Sequence, residues 1–357
     1  MILSAYLFAD GLEIAPDAIA TCADTIRAGG LVGLPTETVY GLGADADHAT
    51  AVAQIFEAKG RPTDHPLIIH LAAFDGGMSG VAHYAVRVPP FAQQLMAAFW
   101  PGPLTLILPR RDGVGAAAAG GHNTVGLRCP SHPVAQALLT ALRKPPEGQR
   151  EVWGIAAPSA NRFGRVSPTT ASHVRSELGD DLPILDGGPC DVGIESTIVD
   201  CTRGAPVLLR PGAITREQVQ EACGRALLTE DELAAAGQGT APKASGTLES
   251  HYAPQAKVRL MDARSLQKAL DLLGADVDRS KEERPSIAVY ARAPLQAGSR
   301  KILMRRMPDD AAVAAHELFS VLRELDDAQV KLIWVETPPD HLAWDGVRDR
   351  LQRASAD

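Results

Sequence analysis

Two cations separated by one glycine are the first group in this sequence whose residue types and spacing could do chemistry. They are Lys59 and Arg61, and Pro62 stiffens the turn that follows them. Two histidines lie just downstream, at His65 and His70. An ammonium and a guanidinium held on a stiff turn suit an anion, most often a phosphate or a carboxylate. The alternative is a solvated helix end, where both cations offset the helix dipole.

Five further segments place polar groups where strands are predicted to begin or end. Thr124 and Arg128 are four residues apart, so a strand would place both side chains on one face. Each segment alone is also explained by turn hydrogen bonds or by packing in a sheet. Together they favour one ligand site, because ligands of open α/β sheets bind beyond the carboxyl ends of strands. The segments are Leu34–Gly43, Thr124–Arg128, Ala156–Asn161, Gly193–Val199 and Leu209–Gly212.

The elements that must position these residues alternate between strands and helices, which predicts an α/β fold. Apolar residues at helical spacing predict helices over 49–59 and 133–142. Thr215 and Gln218 form a capping-box pattern that begins a third helix. An Ala/Gly-rich stretch at 113–121 is expected to be a loop. Strands are predicted at 30–35, 67–69, 104–108, 124–127, 154–157, 183–185, 197–199 and 206–209.

A change of composition divides the chain, and 357 residues exceed the usual size of one core. The run Ala234–Gly246 has the small, polar, Gly/Pro-rich content of a linker. After it a second alternation predicts a small α/β unit of about 100 residues. Its predicted strands lie at 257–261, 286–290 and 331–335, and its predicted helices near 264–273, 310–325 and 345–353.

Charge and cysteine usage narrow the class of protein. Lys and Arg number 35 against 43 Asp and Glu, a net charge of −8, which disfavours general binding of nucleic acid or an anionic membrane. Five cysteines without a CxxC spacing indicate reduced thiols. A secretion signal and an apolar run of about 20 residues are both absent, so we expect a cytoplasmic location. The P-loop and GxGxxG patterns are absent too.

Several of these segments, taken in order, resemble the YrdC/Sua family of threonylcarbamoyl-AMP synthases. The resemblance covers about residues 12–225, and His251–Pro254 resembles the linker motif of the longer Sua type. It implies an α/β fold with a YrdC-like twisted mixed sheet in a catalytic domain over 1–225. A linker or lid over 226–256 and a small Rossmann-like α/β C-terminal domain over 257–357 would follow. The motifs are Pro35–Gly41, Lys59–Pro62, Pro158–Asn161, Glu195–Ile198 and Arg210–Gly212.

The resemblance also implies a reaction and a set of site residues. L-Threonine, bicarbonate and ATP would give threonylcarbamoyl-adenylate and pyrophosphate, with Mg²⁺ accompanying ATP and no tightly bound organic cofactor. Separate proteins would transfer the product's threonylcarbamoyl group to adenosine 37 of tRNA. The implied threonine site is Thr38, His70, Arg128, Ala157 (through its backbone) and Ser196. The implied ATP site is Lys59, Arg61, His65, Thr124, Ser159, Ser167, Arg210, His251 and Tyr252, the last two as a lid.

Two departures from the family pattern affect these expectations. His65 stands where many relatives have Asn, and we expect it still to contact the nucleotide. Residues 245–250 stand where relatives often carry Pro-Gly-Met and basic residues, so lid closure would depend less on linker cations. Alternatives from the same fold are an RNA-binding module and a carbamoyl-transfer domain of the hydrogenase-maturation type. A separate nucleotide site in the C-terminal unit is disfavoured, because no glycine fingerprint is present there.

Overall fold

A computed structural model describes residues 1–6, 13–235, 242–246, 248, 250–279 and 285–356. The chain forms two units. The first comprises Met1–Phe163 and Ser167–Thr247, and the second comprises Gly164–Val166 and Leu248–Asp357. Of the predicted linker run Ala234–Gly246, residues 236–241 lie outside the described residues.

The strands of the first unit form one mixed sheet, in the order β1-β8-β2-β3-β7-β4-β6-β5-β9-β10-β11. This confirms the predicted mixed-sheet α/β architecture. The strands are β1 Ile2–Ser4, β2 Val32–Leu34, β3 Gly41–Asp45, β4 Ile68–His70, β5 Leu104–Pro109, β6 Thr124–Arg128, β7 Ile155–Ala156, β8 Ile184–Asp186, β9 Thr197–Asp200, β10 Val207–Arg210 and β11 Leu228–Thr229. The helices are α1 Pro16–Arg27, α2 Ala49–Lys59, α3 Met78–Tyr84, α4 Pro90–Phe99, α5 Pro133–Arg143, α6 Ala171–Leu178, α7 Arg216–Cys223 and α8 Glu230–Ala235.

The register of four neighbouring strands brings three of the predicted threonine residues to one edge of this sheet. β4 runs parallel to β6, which places His70 opposite Arg128. β5 runs antiparallel to β6, which places Thr105 opposite Arg128 from the other side. β9 is parallel to β5, so β9 begins at the edge where β4 and β6 end. Ser196, the residue before β9, therefore lies at the same edge, at the start of a strand rather than at its carboxyl end.

Alternation along the strands sets these polar residues on one face. On β5, Leu104, Leu106 and Leu108 pack into the main core, whereas Ile107 packs into a smaller cluster with Ile68 and Ile198. Side chains two apart on a strand share a face. The face of the smaller cluster therefore continues into His70, Thr105 and Ser196, each of them two residues from one of its isoleucines.

The second unit contains a four-stranded parallel sheet in the order β12-β15-β13-β14, which confirms the smaller α/β unit. Glu336 ends β15 and is buried. Its carboxylate accepts the backbone N–H groups of Arg292 and Ala293, both at 2.7 Å, so the unit's own side chain fills this part of the carboxyl edge. The elements are β12 Lys257–Met261, α9 Ala263–Arg279, β13 Ile287–Ala291, β14 Ile302–Arg306, α10 Ala311–Asp327, β15 Leu332–Glu336, a 3₁₀ turn at Leu342–Trp344 and α11 Asp345–Ser355.

Candidate active site

The turn after α2 separates its two cations by a left-handed glycine. Gly60 has φ 61°, and the N–H of Arg61 reaches back to the carbonyl of Phe56 at 2.9 Å, which is a Schellman ending. Only 3% of Lys59 and 6% of Arg61 is exposed. The alternative of a solvated helix end is therefore wrong, because both cations are buried in the first unit.

Lys59 ties α2 to the segment that follows β7. Its Nζ donates to the carbonyl of Ser159 at 2.6 Å and to the carbonyl of Asn161. Burial, reinforced by the neighbouring Arg61 charge, holds the pKa of Lys59 well below its usual value. The side chain thus contacts the Ser159 segment directly, which the sequence did not predict.

Arg61 and Arg210 meet at one serine of the first unit. Arg61 Nη2 donates to the carbonyl of Pro66 at 2.9 Å and to Ser245 Oγ at 3.2 Å. Arg210 Nη1 donates to the carbonyl of Ser245 at 2.9 Å. Two guanidinium groups predicted to bind the nucleotide therefore lie on either side of Ser245, an arrangement that suits a polyanion such as a triphosphate.

His65 lies beside an aromatic ring that follows the Ser159 segment. Its imidazole meets the Phe163 ring edge to face, with centroids 5.6 Å apart, and the Arg61 guanidinium lies 5.8 Å from the same ring. Burial and the Arg61 charge lower the pKa of His65, which favours the neutral imidazole at neutral pH. A neutral ring can donate one hydrogen bond.

Ser196 is held by residues from β5 and β10, the two strands that flank β9. Its hydroxyl shares a hydrogen bond with Thr105 Oγ1 at 2.7 Å, and Arg210 Nη2 donates to it at 3.2 Å. Gly212 permits this packing, because a Cβ there would lie 2.5 Å from the backbone nitrogen of Thr197. The Arg-Pro-Gly motif thus combines a guanidinium with a residue small enough for close backbone approach.

Arg128 and His70 form the second polar group. Glu37 Oε1 lies 2.8 Å from Arg128 Nη2, and both side chains are buried. Burial first, then the Arg128 charge, lowers the pKa of His70 to about 3, so the imidazole is neutral at neutral pH. Within the described residues, His70 Nδ1 and Arg128 Nε have no hydrogen-bond partner. Buried polar atoms left without hydrogen-bond partners are costly unless a ligand supplies the partners.

The other implied site residues of the first unit lie at separate positions in its fold. Thr38 is buried in the turn after β2, and its hydroxyl lies 2.9 Å from that of Thr36. The N–H of Ala157 is bonded to the carbonyl of Ile68 at 3.0 Å. Ser167 is buried against Glu195. Thr124 is only partly buried and begins β6, four residues from Arg128 at the other end of the strand.

His251 and Tyr252 belong to the second unit. Tyr252 is buried, its ring stacks on Phe319 at 5.4 Å, and the Arg350 guanidinium lies 5.4 Å from the same ring. His251 meets Tyr252 edge to face, with centroids 4.1 Å apart. Their predicted function as a lid remains a prediction.

Four contributors were not identified from the sequence: Glu37, Thr105, Phe163 and Ser245. Glu37 lies inside a quoted motif, so its charge was a usable signal. Thr105 is the one hydroxyl in the apolar run Leu104–Leu108, which was also a signal. Ser245 gave none, because it contacts Arg61 across 184 residues of chain.

The fold and the site define a class: an α/β protein with a mixed-sheet unit that gathers buried cations in two groups, and a smaller parallel α/β unit. Comparisons with known proteins agree with this division into two units, because a separate family model matches each part of the chain. Residues 24–212 match the Sua5/YciO/YrdC family, described as "Telomere recombination". Residues 214–356 match the C-terminal domain of threonylcarbamoyl-AMP synthase.

Relatives match along nearly the whole chain. A threonylcarbamoyl-AMP synthase of Pyrococcus abyssi is 37% identical over 340 residues, 94% of each chain. One of Bacillus subtilis is 36% identical over 348 residues, 97% of this chain and 95% of that protein. The crystal structure of P. abyssi Sua5 complexed with L-threonine matches with a TM-score of 0.82 and 36% identity, covering 99% of this chain and 97% of that one. The chain therefore belongs to the threonylcarbamoyl-AMP synthase family.

Burial of His70 predicts a pH dependence of stability. Because its pKa falls from about 6.5 to about 3 on folding, the neutral ring stabilises the fold fully above pH 6.5. That contribution is lost as the pH falls towards 3, by roughly 1.4 kcal/mol per pH unit. The melting temperature of the native protein should thus fall more steeply from pH 6.5 to 4.5 than that of His70→Asn. Equal slopes in a thermal melting series would contradict the expectation.

Proposed function

We propose that this chain catalyses the formation of L-threonylcarbamoyl-adenylate and pyrophosphate from L-threonine, bicarbonate and ATP. This reaction would be the first step of N6-threonylcarbamoyladenosine formation at position 37 of tRNA. The observation that supports this best is the pair of His70 and Arg128, one neutral and one charged, buried on adjacent strands. Among the described residues, His70 Nδ1 and Arg128 Nε have no hydrogen-bond partner. Such a pair suits the carboxylate of an amino acid.

The chemistry needs two anionic substrates held together. The threonine amine adds to the carbon of bicarbonate with loss of water, and an oxygen of the resulting carbamate attacks the α-phosphorus of ATP as pyrophosphate leaves. Positioning can supply about 7–11 kcal/mol of such a barrier, and fixed cations stabilise the charge that develops. Arg61 and Arg210 would bind the triphosphate. Threonine would be held by Arg128, His70, Thr38, Ser196 and the backbone of Ala157.

Mg²⁺ is proposed to enter as part of the MgATP substrate. Among the described residues, no group of three or more His, Cys, Asp or Glu side chains is placed to hold a metal ion. The donor set that remains near the nucleotide residues is cationic, and it fits the phosphate oxygens rather than the metal. The phosphate oxygens of ATP would therefore supply the Mg²⁺ ligands that protein carboxylates supply in other sites.

The proposal also includes a cellular location and downstream partners. The five cysteines are free and buried, as is usual in a reducing compartment, which supports a cytoplasmic location. No helix in the described part of the chain is long and apolar enough to cross a membrane. The product would pass to separate transfer proteins, and stable binding of nucleic acid is not expected at a net charge of −8.

Pyrophosphate release tests the function. Purified protein should release pyrophosphate from ATP only when both L-threonine and bicarbonate are present. Equal release with L-serine would overturn the substrate assignment, and no release under any condition would overturn the reaction. Salt-sensitive retention of tRNA without pyrophosphate release would instead favour the RNA-binding alternative.

A further inference from the structure

Glu37 forms a buried ion pair inside the proposed threonine site, although nothing above gives it a task. Its Oε1 lies 2.8 Å from Arg128 Nη2, and the two side chains are 6% and 4% exposed. Its Oε2 accepts the N–H of Ser131 at 3.2 Å. The carboxylate therefore spans from the turn after β2 to the end of β6 and is anchored at both ends.

The pair balances charge without using up hydrogen-bond donors. Within the described residues, neither Glu37 Oε1 nor Arg128 Nη2 takes part in an aligned hydrogen bond despite their short distance, and Arg128 Nε has no partner either. A buried guanidinium without a counter-charge is costly to the fold. Glu37 provides that counter-charge and leaves the N–H groups of Arg128 Nε and Nη2 available for another acceptor.

We infer that Glu37 is a positioning residue for Arg128, holding the guanidinium in place so that its remaining donors take the α-carboxylate of the amino-acid substrate. Glu37 thereby makes the site selective for a free carboxylate over a neutral amide. The inference rests on the proposed function and deepens it, because it names the group of the substrate that the buried pair recognises.

The direction in which threonine affinity changes when the Glu37 charge is removed distinguishes a positioning role from simple repulsion. If Glu37 only added negative charge, its removal would reduce repulsion of the incoming carboxylate, and threonine would bind more tightly. If Glu37 positions Arg128, its removal weakens binding of threonine although repulsion is reduced. L-Threoninamide has the same side chain and amine but no carboxylate, so its binding should not depend on the position of Arg128.

The test compares dissociation constants of L-threonine and L-threoninamide, measured by calorimetry on the full chain, for the native protein and Glu37→Gln. Threonine affinity should fall at least tenfold in the variant, and threoninamide affinity and the KM for ATP should change less than twofold. The preference for the free carboxylate would thus fall about tenfold. A merely structural role would weaken both ligands alike and leave their ratio unchanged.

Two variants complete the experiment. Asp200→Asn removes another buried carboxylate of the same unit that lies beside an arginine, with 3.4 Å between Asp200 and Arg203, and should leave the ratio unchanged. Glu37→Asp keeps the charge on a shorter side chain and should lower the ratio less than Glu37→Gln. If Glu37→Gln fails to fold, a native ratio in Glu37→Asp overturns the inference.

The remaining outcomes separate the two proposals. An unchanged ratio in folded Glu37→Gln, or tighter binding of threonine, overturns the positioning role and leaves the proposed function standing. A native protein that binds neither ligand and releases no pyrophosphate overturns the proposed function itself.

Discussion

Arg61→Ala is expected to lower threonine-dependent pyrophosphate release by about 10²–10³-fold while the protein stays folded. The guanidinium is buried, lies with Arg210 on either side of Ser245, and is proposed to neutralise the triphosphate. Alanine removes a fixed cation that no neighbour can replace in the same geometry. Steady-state kinetics with pyrophosphate detection should show the loss, and circular dichroism should show a native fold.

Two controls make this result specific. Arg61→Lys keeps the charge but not the planar fork, so we expect it to recover only part of the activity. Arg225 resembles Arg61 in its contacts: it lies 5.2 Å from the Phe91 ring and donates to the carbonyl of Gly204 at 2.9 Å. Arg225→Ala should retain native turnover. Native turnover in Arg61→Ala would remove Arg61 from the nucleotide site.

Elements with strong local signals could be predicted from the sequence. The helix over 49–59 was predicted at its observed bounds, because its apolar spacing ends at a glycine that adopts the left-handed conformation. The capping box at Thr215 and Gln218 is present with both of its hydrogen bonds. Strand β12 also has its predicted bounds, Lys257–Met261.

Elements that depend on tertiary packing could not be predicted. β3, Gly41–Asp45, was not among the predicted strands, and its first three residues were counted in the polar segment Leu34–Gly43. A Cβ at Gly43 would lie 2.7 Å from Leu34 and 2.8 Å from Ile155, so glycine is required there by the strands on either side. β14 was missed as well, since its last three residues, Met304–Arg306, are exposed and two of them are charged.

In the candidate site too, local motifs could be predicted from the sequence, whereas tertiary contacts could not. His70 and Arg128 were identified from motifs, and the parallel register of β4 and β6 places them together. What a motif cannot supply is the partner of each group. Ser245 meets two guanidiniums and Thr105 orients a distant serine only because the fold closes long loops, and one sequence does not contain that information.

Lys59→Met is expected to lower activity by at least about 100-fold and also to destabilise the first unit. The structure places its ammonium on two carbonyls of the Ser159–Asn161 segment, about 100 residues away in sequence. Methionine fills a similar volume but leaves both acceptors unsatisfied, at about 1–3 kcal/mol each. The melting temperature should therefore drop by several degrees. Amide hydrogen exchange over 158–163 should become faster.

The pattern of these effects distinguishes two tasks for the lysine. The sequence predicted that Lys59, like Arg61, binds the phosphates; in that case activity would fall while the melting temperature and the exchange rates stayed native. If Lys59 instead holds the segment that carries Ser159, all three change together. Lys144→Met is the matched control, because Lys144 also ends a helix, lying at the C-cap of α5. This control variant should leave activity and exchange over 158–163 unchanged. A loss of activity in Lys59→Met without faster exchange would instead support phosphate binding by Lys59.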